Sequence, residues 1–241
     1  MKVATASSWI EAVALLLVAF ALPAQAAPAK DAAKEAAKDV ARDIRAEEIA
    51  SCRADEIKTW NDGRDAPAAS RQLVFAYEPG GAPAWLPRRE VYAAIEQALQ
   101  AWGACGLQLE LLPLGQVAPA GAIRIRWDAA GSRGNAGLAD VGQRTLSLGP
   151  QVFALLRQRN PAWPVMDTLQ MTLSHEIGHF LGLGAHSRRC VDVMSYYSDA
   201  KGARCELREP SAFRSRVEYR ASLPTACDIA RCRAVNGVAA R

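Results

Sequence analysis

Histidine is almost missing from this chain. Only three of its 241 residues are histidine, and all three fall in one window, "SHEIGHFLGLGAHS" at 174–187. A second imidazole-built site elsewhere in the chain is therefore excluded. Strong charge of one sign is missing too. The net charge is +4, and no block of like charge is interleaved with aromatic residues, so nucleic acid is not an expected partner. The basic C-terminal end (Arg208, Arg214, Arg216, Arg220, Arg231, Arg233) reads as a solvated face. Beyond the first 26 residues no apolar run is long enough to cross a bilayer, so stable membrane insertion is not expected. No internal repeat is present.

Half of the chain is apolar and 22% is charged, which suits a globular protein of one sizeable domain or two small ones. Residues 1–26 read as a cleaved secretory signal. Lys2 gives a positive start, "AVALLLVAFAL" (12–22) is a short apolar core, and "AQA" (24–26) offers small residues for cleavage after Ala26. No cysteine follows that point directly, so a lipid anchor has no attachment site. A secreted or periplasmic location follows. Six cysteines then predict disulfides. Cys190 and Cys205 form the plausible local pair. Cys227 and Cys232 share a helix and point about 140° apart. They should pair elsewhere, with Cys52 and Cys105, in an order the spacing leaves open.

Residues 27–70 divide into two parts. "APAKDAAKEAAKDVARDIRAEEIA" carries acid–base pairs three apart and an alanine face, which predicts an exposed helix or partly disordered leader. "NDGRDAPAAS" (61–70) reads as a linker. The basic stripe Lys34, Lys38 and Arg42 is opposed by no large apolar residue, so it makes a poor membrane surface.

From residue 71 the pattern changes. Strands are expected at 73–77, 107–112, 123–127, 136–140 and 144–149. A helix opened by Pro87 places Val91, Ile95, Ala98, Leu99 and Trp102 on one face. A second helix is expected to start near Asp167, where Asp167 and Gln170 have capping-box spacing. Its buried stripe is Leu169, Leu173, Ile177, Phe180 and Leu181. The fold class expected is α+β (α/β), with a twisted mixed sheet of about five strands and two long helices in residues 71–186. Residues 187–241 form a smaller C-terminal subdomain. They end in a helix over 222–237, capped by Thr225 and Asp228.

His175 and His179 lie four apart, which puts both imidazoles on one side of a helix at a separation one metal ion can bridge. Glu176 lies beside them, placed to take a proton from a metal-held water and pass it to a leaving amine. Gly182 and Gly184 break the helix, and His186 follows.

"HEIGHFLGLGAHS" followed by "DVMSYY" (192–197) resembles the metzincin clan of zinc endopeptidases, whose pattern is H-E-x-x-H-x-x-G-x-x-H and then a Met-turn. The resemblance implies a zincin-like catalytic domain with one catalytic Zn2+ held by His175, His179 and His186. Glu176 would be general base and then general acid. Met194 would be the floor of the site, and Tyr196 an oxyanion stabiliser or switchable fifth ligand. The element order from about residue 72 is similar to a matrixin-like domain. There the fourth strand ("GNAGLADVG", 134–142) would be a sheet edge to which substrate adds as an extended strand.

The chain departs from that pattern in three ways. His186 lies one residue beyond the family's third-ligand position, which is Ala185 here. Either the glycine loop accommodates the extra residue, or an oxygen ligand such as Asp192 replaces His186. The matrixin latency motif is absent, although Cys52 could serve as a zinc ligand in a precursor instead of forming a disulfide. No histidine remains for a structural zinc. Structural Ca2+ is possible but not indicated.

The expected activity is hydrolysis of a protein or peptide substrate by a monomer. A non-catalytic zinc-stabilised binding module and a zinc amidase acting on cell-wall peptides stand as alternatives. Arg188, Arg189, Lys201 and Arg204 lie near the Met-turn and suggest a taste for acidic or polar residues.

Overall fold

The computed structural model describes residues 27–199, 201–210 and 218–239. The expected signal segment, 1–26, lies outside the described residues. Residues Lys38–Arg241 form one compact unit.

Five strands form one mixed sheet: β1 (Gln72–Glu78), β2 (Gln108–Leu111), β3 (Ile123–Trp127), β4 (Gly137–Asp140) and β5 (Thr145–Leu148). Their spatial order is β2-β1-β3-β5-β4. All neighbours pair in parallel except β4, which runs antiparallel to β5 and closes the sheet at one edge. The β3 sequence Ile-Arg-Ile-Arg-Trp buries its apolar residues in alternation, as period-two geometry requires. This is the mixed five-stranded α/β arrangement expected from the sequence.

Two long helices, α2 (Arg88–Trp102) and α4 (Val165–Phe180), pack against each other. Val91, Ile95, Ala98, Leu99 and Trp102 of α2 are all buried, as are Leu169, Leu173, Ile177 and Phe180 of α4. Each fully buried Leu or Ile contributes about 1.5–3 kcal/mol, so these stripes fix the helix pair more firmly than helix propensity does. Trp102 closes α2 and donates its indole N–H to the carbonyl of Ser174 at 2.9 Å. The end of α2 is thereby pinned to α4 one residue before His175.

The start of α4 differs from the expectation. The helix begins at Val165 after Pro164, without a side-chain cap. Gln170 does not close a capping box; it donates to the carbonyl of Ala94 on α2 at 3.0 Å. Helix α3 (Pro150–Arg159) was not foreseen. Proline at its first position fits the helix start, and only Phe153 is buried. The last helix, α5 (Ala226–Val235), carries the expected capping box between Thr225 and Asp228.

Residues 38–70 are not a detached leader. The end of helix α1 (Ala27–Ala50) buries Ala41 and Glu48. Glu48 accepts hydrogen bonds from the Tyr219 hydroxyl and the Arg208 N–H. Three disulfides join Cys52 to Cys227, Cys105 to Cys232 and Cys190 to Cys205. The local pair is the expected one. The structure also resolves the open order: Cys52 reaches the start of α5 and Cys105 reaches its middle. Three disulfides point to an oxidising, extracellular type of environment. Among the described residues no helix is long and apolar enough to cross a membrane.

Candidate metal centre

Helix α4 presents His175 and His179 one turn apart, as their spacing dictates. Leu181 closes the helix, and Gly182, at φ 98°, turns the chain back through a conformation that favours glycine. That turn returns His186 to the two helical histidines. One ring nitrogen from each of the three lies within 4.8 Å of the others. The extra residue in "GLGAH" is taken up in the glycine loop and does not displace His186. Asp192, the alternative oxygen ligand, is not in this cluster. Its carboxylate is buried and held by Ser187 Oγ, Arg189 and Thr225 Oγ1 at 2.6, 3.0 and 2.6 Å.

The hydrogen bonds behind the three rings fix their tautomers. His175 Nδ1 lies 2.7 Å from the carbonyl of Val193, and His179 Nδ1 lies 2.7 Å from the carbonyl of Leu183. His186 Nδ1 lies 2.6 Å from Asp62 Oδ2. A carbonyl or a carboxylate has no proton to give, so each Nδ1 carries the hydrogen. In the neutral rings the three Nε2 lone pairs then face one another, with those of His175 and His186 3.2 Å apart. Two acceptors at that distance repel unless a cation lies between them. Burial, then the two neighbouring histidines, pushes His175 well below the ordinary histidine value. Burial first, then His186, pushes His179 down to about 4. Neutral imidazoles with oriented Nδ1–H groups are the form in which histidine binds a metal. Three neutral imidazoles are a donor set that fits one Zn2+ ion.

Glu176 is buried beside the cluster. Burial pushes its carboxyl up to about 7, against a hydrogen bond from the Ala139 N–H of β4 to Oε2 at 2.8 Å. Gly137 makes this approach possible. A Cβ there would lie 2.5 Å from Thr172 Cγ2 and 2.8 Å from Glu176 Cγ. A cleft of about 750 Å³ runs between β4 and the histidines; its walls include Leu138, Leu156, Trp163, Glu176 and Arg220.

Met194 is fully buried under α4. A Cβ on Gly178 would sit 2.3 Å from its sulfur, so glycine between the two helical histidines is what admits the methionine. Tyr196 packs beside the cluster, its ring 4.9 Å from that of His186. Its ring stacks on Trp60 at 5.2 Å, and its hydroxyl donates to Asp62 Oδ2 at 3.0 Å. Burial, then this contact with a carboxylate, pushes the phenol up to about 12. The hydroxyl is thus held on the same carboxylate oxygen that His186 uses.

The disulfide expected of Cys52 is present, and one further expectation is corrected. Cys52 is bonded to Cys227 and has no thiolate to offer a metal. Arg188 and Arg189 do not shape the cleft: Arg188 pairs with Glu206, and Arg189 is buried against Asp192 and the carbonyl of Glu48. Lys201 and Arg204 do not line it either. Besides Glu176, the charged residues that do are Arg220 and Glu218, paired with each other at 2.9 Å.

The residues the sequence reading missed are Trp60, just before the stretch expected to be a linker, and Asp62 and Asp65 within it. Asp62 accepts from both the ring and the backbone N–H of His186. Asp65 accepts from the Ala185 N–H at 3.0 Å and pairs with Arg231 at 2.6 Å. Two acids three apart in a polar run were the only local sign.

No family model matches the chain, and no curated protein matches it. Among solved structures, the chain aligns with "GM1 bound form of the ECX AB5 holotoxin" at 13% identity and a TM-score of 0.38. The alignment covers 72% of this chain and 88% of that one. At that similarity it carries no argument about fold or activity.

Proposed function

We propose that the chain is an exported zinc-dependent endopeptidase of the metzincin type. One observation carries the reading: three Nε2 lone pairs converge while every Nδ1 proton is spent on a fixed acceptor. His175, His179 and His186 would hold the ion, and Met194 would support the turn beneath it. When bound, zinc lowers the pKa of a coordinated water to roughly 7 and polarises a carbonyl. Glu176 accepts a proton on the carboxylate oxygen not engaged by Ala139 and returns it to the leaving amine. A nearby dication would pull its value down from about 7, keeping it a base at neutral pH.

The sheet edge orients the substrate. The Ala136 carbonyl accepts from Gly149, on the β5 side. Alternation then turns the backbone of Gly137 and Ala139 toward the free edge. An extended peptide laid along β4 meets the Gly137 and Ala139 carbonyls and stays beside Glu176. Leu138, Leu156 and Trp163 supply apolar walls. A free, pre-set edge of this kind suits a polypeptide better than a compact cell-wall amide.

Zinc content and casein cleavage of wild type and Glu176→Gln test the reading. Retained zinc with cleavage lost in the variant is expected. Zinc bound by both proteins, with neither cleaving a protein substrate, would point to the binding-module alternative. Cleavage of peptidoglycan fragments but not casein would point to the amidase.

A further inference from the structure

The segment before the sheet is built into the metal loop. Residues 58–66 run antiparallel to 182–188. Arg188 N–H donates to the Lys58 carbonyl at 2.9 Å, Trp60 N–H to the His186 carbonyl at 3.0 Å, and Ala66 N–H to the Gly182 carbonyl at 3.0 Å. Thr59 and Ser187 bridge between them. The two backbones approach so closely that a Cβ on Gly63 would lie 2.1 Å from the Gly184 carbonyl oxygen. Nothing larger than glycine fits there.

Within this strap, Asp62 grips His186 twice. Oδ1 accepts from its backbone N–H at 3.0 Å, and Oδ2 accepts from its ring at 2.6 Å. The Tyr196 hydroxyl donates to the same Oδ2. Burial raises the Asp62 carboxyl, but these hydrogen bonds outweigh it and hold the group below the ordinary aspartate value. Asp65 holds the preceding peptide through Ala185 N–H and is itself clamped by Arg231, whose guanidinium also reaches the Ala185 carbonyl. His175 and His179 sit on a helix and take backbone carbonyls, those of Val193 and Leu183, as their ring partners. His186 sits on a glycine loop one residue longer than the resembled pattern.

We propose that Asp62 is a positioning residue that sets the tautomer and ring orientation of His186, and that the strap is what lets the longer loop deliver a third ligand. This rests on the metal-site reading. It assigns a role in the centre to a segment outside the motif, and it implies that the strap is a permanent part of the mature protein.

The test is zinc affinity of the full chain by competition with a chromogenic chelator, beside the absorption spectrum of the Co2+ form, which reports coordination geometry. Asp62→Ala and Asp62→Asn should weaken zinc binding by about 10–100-fold and alter the Co2+ bands. The circular dichroism of the metal-free protein should be unchanged. Asp65→Asn should cost less, because it removes one contact to the loop and none to the ring. Wild-type affinity and spectrum in both Asp62 variants, with zinc lost in His186→Ala, would overturn the strap proposal and leave the metal site standing. Failure of wild type to bind zinc would overturn both. If Asp62→Ala does not fold, Asp62→Asn keeps the shape and the backbone contact; an asparagine variant with unchanged affinity overturns the proposal by itself.

Discussion

Asp228 accepts a hydrogen bond from the backbone N–H of Val193 at 2.9 Å, and the Val193 carbonyl accepts from His175 Nδ1 at 2.7 Å. The cap of the last helix therefore holds the first candidate ligand through a single residue of the intervening turn. The same carboxyl caps α5 by accepting from the Thr225 N–H. Helix start, turn and imidazole are one connected unit.

Asp228 should make that unit sensitive to pH. Thr225 Oγ1 lies 2.6 Å from Asp192 Oδ1 and 3.0 Å from Asp228 Oδ2, and its one hydroxyl proton serves only one of them. A proton on a carboxyl completes the set. Burial, then the Asp192 charge, pushes Asp228 up to about 7. A raised folded value means the protonated form is favoured in the fold. Its contribution is full below the ordinary aspartate value near 3.8 and is lost as pH rises through about 7. The lowered histidines act in the opposite direction at lower pH, but equally in both proteins compared here. Melting temperatures of metal-free wild type and Asp228→Asn should therefore shift in the variant's favour as pH rises from about 5 to about 8. A gap that does not change with pH would refute the shared-proton arrangement.

Gly178 is the second point of tight control. A methyl there would meet Met194 Sδ at 2.3 Å and Trp102 Cζ2 at 3.0 Å. Gly178→Ala should cost about 1–3 kcal/mol in urea unfolding, the usual range for overpacking. It should also loosen zinc binding, because the displaced turn carries the Val193 carbonyl that orients His175. Met194→Leu keeps the volume and should cost less than about 1.5 kcal/mol. Equal losses in the two variants would show that the close approach does not matter.

The sheet and the helix pair were legible in the sequence because they rest on local periodicity. Val91 to Trp102 and Leu169 to Phe180 repeat at helical steps, and Ile123 to Trp127 alternates. The His175–Glu176–His179 spacing was legible for the same reason. The role of Asp62 was not, since its partner lies 124 residues away and its neighbours are small and polar. The α4 start was misplaced because Asp167 and Gln170 have cap spacing, whereas packing on Ala94 claims Gln170. The hydrogen bond from the Tyr196 hydroxyl to Asp62 was not legible either, since the two lie 134 residues apart.

The N-terminal segment should prove structural. Cys52–Cys227 closes a loop of 175 residues and ties the end of α1 to α5. Replacing both cysteines with alanine should lower stability by about 2–4 kcal/mol and open residues 38–56 to limited proteolysis. Glu56 adds an acid-sensitive lock beside it. Its hydrogen bond and ion pair with Arg208 bring it down to about 2, against burial. A lowered value means the contribution is present above about 4.5 and is lost as pH falls toward about 2. Acid unfolding of Glu56→Gln should be less steep than that of wild type. An unchanged acid limb would mean the pair is too exposed to count.

Gly137 sets the distance between the sheet edge and Glu176, the proposed general base, so its replacement should disturb binding and proton transfer together. A Cβ at Gly137 would press on Thr172 Cγ2 and on Glu176 Cγ, and β4 has to move away from α4 to relieve it. That movement lengthens the 2.8 Å hydrogen bond from Ala139 N–H to Glu176 Oε2 and shifts the free edge where an extended substrate would pair. Gly137→Ala should therefore raise KM and lower kcat together on a peptide substrate, while zinc affinity stays within about 3-fold of wild type because the groups that orient the three histidine rings, on Val193, Leu183 and Asp62, lie off β4. Leu138→Ala, which removes an apolar wall without moving the backbone, should raise KM and leave kcat nearly unchanged. If Gly137→Ala changed KM alone, the edge would bind substrate without positioning Glu176, and the link between the two would be lost.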